Sequence, residues 1–576
     1  MTGSATAIPG PGRREDAMPV HRFGRLRRSP RVLAVDLSRP VTDGPTEPLS
    51  QLVTGRGPSL RDVVDVLDAA ARDRRVRAVM ARVDAPAENW AHAQELRDAI
   101  VAFRAGGKPA IAHAQSFSEA GHPAFAYLVA TGFDEVHLQP TGEVGVTGVA
   151  MVQPFVADLL DKLDVTAEFD HRHEYKTARN VLTERAFTDA HRESYDRIVA
   201  SLHEQLLAAV AEGRGLEPDR AAAVLDAAPL SAAQALAAGL IDRLAYRDES
   251  VAAALQRAGE HARLVTLRRY QASRRRRARL DRRRPTIALV HGQGIIQVGR
   301  SRPSSMGRVM GSDSVVAGFQ QAIRDKRVRA VVFRVESQGG SAVASDAIWR
   351  AVARAREAGK PVVVSMGGVA GSGGYWIAMG ADRIVAAAGT ITGSIGVVYG
   401  KFVARGLLSR LGITTDEVHR GTNALLLSTT EPFTDAQWDQ VSAMLDRIYG
   451  EFVDKVAAGR GLDRGHVDGV ARGRIWTGAD ARDHGLVDEL GGYRTAFAAA
   501  RELAGIAADR RLRVRVLPAT SLAERLGMRT PAGDEARALA SILTSFVRVV
   551  RVGSRESLAS TPEWAGRMAR GRDGPA

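Results

Sequence analysis

The sequence predicts an α/β protein made by tandem duplication: two parallel sheets with crossover helices, plus helical extensions. Three observations lead there. First, the chain repeats itself. "DRRVRAVMARVDAP" at 73–86 returns as "DKRVRAVVFRVESQ" at 325–338, "FVADLLDKLDVT" at 155–166 as "FVARGLLSRLGIT" at 402–414, and "GLID" at 239 as "GLVD" at 485. The offset stays between 246 and 252, so a whole domain is duplicated. Second, short Val-rich runs such as "RAVVFRV" alternate with helix-period segments such as "SVVAGFQQAIRDK". Third, alternation of strand and helix requires parallel strands joined by crossovers.

The elements follow in order. A basic tail spans 1–30, the first copy 31–265, an Arg-rich linker 266–284, the second copy 285–510, and an extension 511–576. In the second copy, helix "SVVAGFQQAIRDK" leads to strand "RAVVFRV", then helix "SDAIWRAVARAREAGK" and strand "PVVVS". The second half of each copy is helical. Its longest segment, "DAQWDQVSAMLDRIYGEFVDKVAAGRG", ends at glycine, a common helix stop. In the extension, Leu539, Ile542, Leu543, Phe546 and Val550 recur at helical spacing, which fits a core or oligomer contact, or a helix lying in a membrane interface.

Composition narrows the function classes. The 576 residues are 45% hydrophobic and 25% charged, ordinary for a globular protein. There is no cysteine, which excludes disulfides, thiol nucleophiles and thiolate metal sites. The net charge of +15 is local: residues 274–284 carry +7 and residues 1–31 carry +5. These segments read as solvated, flexible chain, or as a contact for anionic lipid. They lack the interleaved aromatics of a single-strand binder, so no nucleic-acid partner is expected. Residues 361–381 are uncharged over a bilayer's length but hold six glycines, and read as buried core and active-site loop. With no transmembrane segment, the protein is expected to be membrane-associated without a spanning helix, or cytoplasmic.

The two copies differ where chemistry is expected. Aligning "GADRIV" at 380–385 with "GFDEVH" at 132–137 sets Tyr375 on Tyr127, but Ser372 on Ala124. Gly339 and Gly340 fall on Ala87 and Glu88. Conversely, Lys176 in "HEYKTARN" faces "HRGTNALL", which has no lysine. A serine in one copy and a lysine in the other point to one composite site. A serine hydroxyl needs a base in hydrogen-bond reach, and lysine serves when burial keeps it neutral. The glycines of "SMGGVAGSGGYWIAMG" would clear space at Ser372, with the N–H groups of Gly373 and Gly340, beside Gly339, forming an oxyanion hole. Ser345, Ser365 and Ser394 are rival serines. The Gly-Lys pairs at 107–108 and 359–360 precede proline and form no phosphate loop. No HExxH occurs, and neither a metal nor a cofactor is expected.

The block "SMGGVAGSGGYWIAMGADRIVAAAGTITGSIGVV", the "EYKTA" block and the tandem architecture resemble the signal peptide peptidase A family in its long bacterial form. The resemblance implies a Clp-protease/crotonase type fold in each copy, tetrameric assembly and membrane attachment. It also implies a serine protease with Ser372 as nucleophile and Lys176 as general base, acting on apolar peptides such as remnant signal peptides. Gln338 stands where the family has proline, "RNVLTERAF" replaces the usual "EPF", and the usual N-terminal anchor is expected to be missing. Two other readings are a crotonase-like acyl-CoA enzyme, which needs no serine nucleophile, and a non-catalytic membrane-associated scaffold.

Overall fold

The computed structural model describes residues 29–44, 58–278, 284–304, 307–508 and 510–518. The basic tail up to residue 28, residues 279–283 of the arginine run and the apolar face at 539–550 lie outside the described residues.

Val-rich runs became parallel strands, as their length and branching favour. In the first half the sheet order is Arg243–Leu244, Glu135–Leu138, Ala110–Ala114, Val76–Arg82, Arg31–Asp36 and Arg263–Thr266. In the second half the corresponding strands are Glu489–Leu490, Arg383–Ala386, Val362–Gly371, Val328–Ser337, Thr286–Gln293 and Arg513–Leu517. Neighbours along both paths run parallel. The second sheet adds Ile391–Gly393, parallel to the end of Val362–Gly371, and Ile475–Thr477, antiparallel to it in turn. The two sheets thus share one order over six strands each.

Both faces of the second sheet are buried, which is why its strands read as continuous apolar runs rather than alternating ones. Ala288, Val290, Val331, Phe333 and Val364 face the second half's own helices. Ile287, Leu289, Val332 and Val363 join a core shared with Leu33, Val79, Leu96 and Ile100 of the first half. The halves therefore meet through a hydrophobic seam. Helix Trp90–Arg104 of the first half touches strand Val362–Gly371 across it, and helix Tyr493–Leu503 packs against the same sheet.

Two long helices, Asp189–Arg214 and Asp435–Arg460, occupy matching places in the halves. Each begins with a threonine side chain capping a backbone N–H and ends at a left-handed glycine, Gly215 (φ 61°) and Gly461 (φ 64°).

Two boundaries differ from the sequence reading. Residues 266–284 were expected as flexible linker, but Leu267–Ala278 is helical, with Tyr270 buried and its hydroxyl 3.1 Å from Asp73. Apolar Leu267 and Tyr270 dock this helix, while Arg274, Arg275 and Arg276 remain exposed on it. The second copy was expected to stop at 510, but Arg513–Leu517 is a strand of its sheet, the counterpart of Arg263–Thr266.

Candidate active site

Ser372 ends strand Val362–Gly371 and opens the short helix Gly373–Trp376. Its backbone is strained (φ 54°, ψ −121°), a conformation costly for a residue with a Cβ. The turn is over-determined by its surroundings. Ser372 N–H donates to Gly393 O (2.9 Å), and Tyr375 N–H and Trp376 N–H both donate to Ser372 O (2.9 Å). The two aromatics after the glycines are anchors. Tyr375 is fully buried and its hydroxyl donates to Leu486 O (2.9 Å), while Trp376 stacks on Phe452 at 4.6 Å. In the first half Tyr127 donates to Leu240 O in the same way (2.7 Å), around Ala124 instead of a serine.

The glycines are dictated by close approach. A Cβ on Gly339 would lie 2.8 Å from Gly373 N and 2.9 Å from Ser372 Cβ, and φ there is +107°. Gly340 (φ +151°) lies against the Ile296 backbone, with no room for a side chain. Gly339 O accepts from Ile296 N–H and Ser341 N–H donates to Ile296 O, both at 2.9 Å, so Gly340 is clamped between them. Gly340 N is 3.2 Å from the position a Cβ on Gly373 would take, so the two backbones approach closely. The Gly373 N–H opens a helix, where no intrahelical acceptor exists for it. Gln338 is exposed, and Ser337 Oγ beside it ties the strand by donating to Gly294 O (2.7 Å) and accepting from Gly339 N–H (3.1 Å).

Lys176 is carried from the first half into the second by a strand exchange. Strand Thr166–His171 pairs antiparallel with Val398–Val403, from Val398 opposite His171 to Val403 opposite Thr166. Arg172 N–H extends the ladder to Val397 O (3.1 Å). A bidentate pair between Glu174 and Arg472 (3.0 and 2.9 Å) clamps the segment just before the lysine. Beneath it, Gly473 (φ +84°) abuts the Lys176 backbone, and a Cβ on Gly396 would lie 3.1 Å from Lys176 Cδ.

The structure brings Ser372 and Lys176 together within one chain: Nζ is 3.1 Å from Oγ. Lys176 is 3% exposed, and burial alone pulls its pKa down to about 7. No carboxylate pairs with it among the described residues. Its other contacts are the Ser394 carbonyl and hydroxyl oxygens, each at 2.8 Å. A neutral amine has two N–H donors and one lone pair. With the donors spent on Ser394, the lone pair is left for the Ser372 hydroxyl proton. Ser394 (φ 52°) is itself held by donating its N–H to Arg474 O (2.7 Å). Sequence reasoning had Ser394 only as a rival nucleophile, and missed Gly396 and Gly473. The offset glycine and serine of "TGSIG" were the available signal. The other rivals are engaged: Ser345 donates to Ser341 O (2.8 Å) and Ser365 accepts from Arg334 (2.9 Å), both fully buried.

A strained, glycine-flanked serine within hydrogen-bond distance of a desolvated amine has the equipment of a Ser–Lys hydrolase. The sequence profile of peptidase family S49 matches residues 102–263 and 354–507. Protease 4 of Salmonella typhi is 32% identical over 77% of this chain and 72% of its own length. A chloroplastic serine protease SPPA of Arabidopsis thaliana is 28% identical over 82% and 70%, and Protease 4 of Haemophilus influenzae 29% over 77% and 72%. The chain belongs to peptidase family S49, and is a serine endopeptidase of the Ser–Lys type.

Proposed function

We propose that Ser372 is the nucleophile, Lys176 the general base, and the N–H groups of Gly340 and Gly373 the oxyanion hole, for cleavage of apolar peptides such as remnant signal peptides. The observation that carries this reading is the 3.1 Å approach of the buried amine to the Ser372 hydroxyl. Neutral Lys176 takes the Ser372 proton as Oγ bonds to the scissile carbonyl carbon. The carbonyl oxygen becomes an oxyanion stabilised by the Gly340 and Gly373 N–H groups, a reading supported by the close approach of the two glycine backbones. The tetrahedral species collapses to an ester on Ser372, and the Lys176 ammonium gives its proton to the leaving amine. Water, deprotonated by the same amine, then releases the peptide acid and restores the hydroxyl.

We read each copy as a Clp-protease/crotonase type unit, with the matching strand order of the two sheets as support. Assembly into a tetramer is proposed from the resemblance. Its support here is a run of exposed apolar side chains following strand Val398–Val403 in the sequence: Leu411, Ile413, Val418 and Leu427. No helix among the described residues is long and apolar enough to cross a membrane. Contact with anionic lipid is proposed for the arginine run, of which Arg274–Arg276 stand exposed.

Labelling with a fluorophosphonate or peptide-aldehyde probe, followed by peptide mapping, tests the assignment. Modification at Ser372, abolished in Ser372→Ala, is expected. An unlabelled chain that processes acyl-CoA would instead support the crotonase-like chemistry, and labelling at Ser365 or Ser394 would overturn the dyad.

A further inference from the structure

A second polar cluster lies in the seam between the halves, outside the dyad. Asp43 follows the first strand, His92 sits in the first turn of helix Trp90–Arg104, and Glu336 lies on strand Val328–Ser337. One ligand atom from each falls within 4.8 Å of the others. His92 Nε2 is 3.5 Å from Asp43 Oδ2 and 4.0 Å from Glu336 Oε2, too long for hydrogen bonds. His92 is 2% exposed, and neither ring nitrogen has a hydrogen-bond partner. Gln293, opposite Glu336 in the strand register, leaves its Oε1 buried and unpartnered as well. That oxygen is 2.9 Å from where a Cβ on Gly44 would lie, beside Asp43. An imidazole nitrogen and an amide oxygen therefore stand buried without partners around two carboxylates.

The charges do not balance. Asp43, Glu95 and Glu336 meet one guanidinium, Arg334, which pairs with Asp43 (2.6 Å) and Glu95 (2.7 Å). Among the described residues Glu336 has no ion-pair partner but His92. Arg334 also donates to Ser365 Oγ (2.9 Å) and Met366 O (3.1 Å), and lies over the Tyr493 ring at 4.3 Å. With the three carboxylates ionised, two negative charges are left over beside a neutral His92, and one beside a protonated His92, in a buried place that proteins rarely leave uncompensated.

We propose that Asp43, His92 and Glu336 bind one divalent cation of the zinc class, with Gln293 Oε1 or a water as the remaining ligand. One imidazole and two carboxylates make a donor set suited to such an ion. Its charge cancels the excess. Tetrahedral bonds to zinc give ligand–ligand edges of about 3.3 Å; the two edges at His92 are 3.5 and 4.0 Å and the Asp43–Glu336 edge is within 4.8 Å, so the side chains close on the ion by shifts of up to about 1.5 Å per edge. Two ligands belong to the first half and one to the second, so the ion clips the seam. Glu336 also accepts from Gly368 N–H (2.6 Å) and lies three residues before Gly339, so the clip sits at the root of the oxyanion strand.

The test uses the full chain, stripped with a chelator and dialysed against Zn²⁺ or Co²⁺. One metal per chain is expected by elemental analysis, with the visible absorption of a four-coordinate cobalt site and a raised Tm. Glu336→Gln and His92→Gln should each weaken binding by about 10–100-fold or more, the scale on which altered metal-site contacts act. Glu336→Gln keeps an acceptor for Gly368 N–H, so it serves if the histidine variant does not fold. Should both misfold, the wild-type stoichiometry and cobalt spectrum decide alone. Wild type holding no stoichiometric metal, or binding unchanged in both folded variants, would overturn the proposal.

Discussion

If Lys176 works as a neutral amine, its ionisation must govern the rate. At lysine's ordinary pKa of 10.5 about one side chain in three thousand is neutral at pH 7, while at a pKa of about 7 roughly half are. On an apolar fluorogenic peptide, log kcat/KM should climb with unit slope below about pH 7 and level off above it. Lys176→Arg keeps charge and reach but stays protonated, and should lose about 10³-fold at every pH. The same burial carries a stability cost. The unfolded lysine binds a proton that the folded one sheds between about pH 10.5 and 7, so the penalty is absent above that window, grows as pH falls through it, and is constant below. Lys176→Met should therefore be the more stable protein at pH 7, by at most about 4 kcal/mol, with the gap closing as pH rises toward 10.5. Calorimetry across pH reads this directly. An apparent pKa near 10 in the rate profile, or wild-type turnover by Lys176→Arg, would refute the desolvated-base account.

Ser372→Ala should remove peptide hydrolysis and leave Tm nearly unchanged, since it deletes one hydroxyl from a turn fixed by backbone bonds; persistent wild-type turnover would count against it. Ser394→Ala deletes one of the oxygens that orient the amine, and should lower kcat by about 10–100-fold at constant KM, the scale of a lost positioning contact; an equal rise in KM would place Ser394 in substrate binding instead. Gly473→Ala pushes a methyl into the Lys176 backbone at a positive φ, and should cost more activity than Tm; unaltered activity would mean that the base segment is not packed there. Vesicle binding through arginines should fall steeply with salt, because exposed charges are screened within about 8 Å at physiological ionic strength. Deleting 1–28 and neutralising 274–284 should abolish it without affecting cleavage of a soluble peptide, whereas salt-insensitive binding would point to the apolar face at 539–550.

Much of the architecture was legible because it is encoded twice. A repeated strand–helix pattern is hard to mistake, and the positions where the copies disagree, 176 and 372, are the ones that approach within hydrogen-bond distance. What escaped depends on contacts without a sequence period. Ser394 looks like any serine in a glycine turn until the amine is seen resting on it. Gly396 and Gly473 matter only because a strand from the other half crosses them. Asp43, His92 and Glu336 come from three elements, with no spacing to announce them, so a motif search for metal ligands passes over them. The arginine run hid a helix because its charge outweighs the two apolar residues, Leu267 and Tyr270, that dock it.

The strand exchange between Thr166–His171 and Val398–Val403 has a consequence for how this peptidase responds to dilution. Base and nucleophile arrive on one polypeptide, so their ratio is fixed by translation rather than by encounter. The dyad requires no neighbouring copy, and specific activity toward a short soluble peptide should hold steady at concentrations where any larger assembly has come apart. Among the described residues the serine and lysine meet once, although the two sheets share their strand order. The first half, which has no serine at the position of Ser372, instead supplies the arm that carries Lys176.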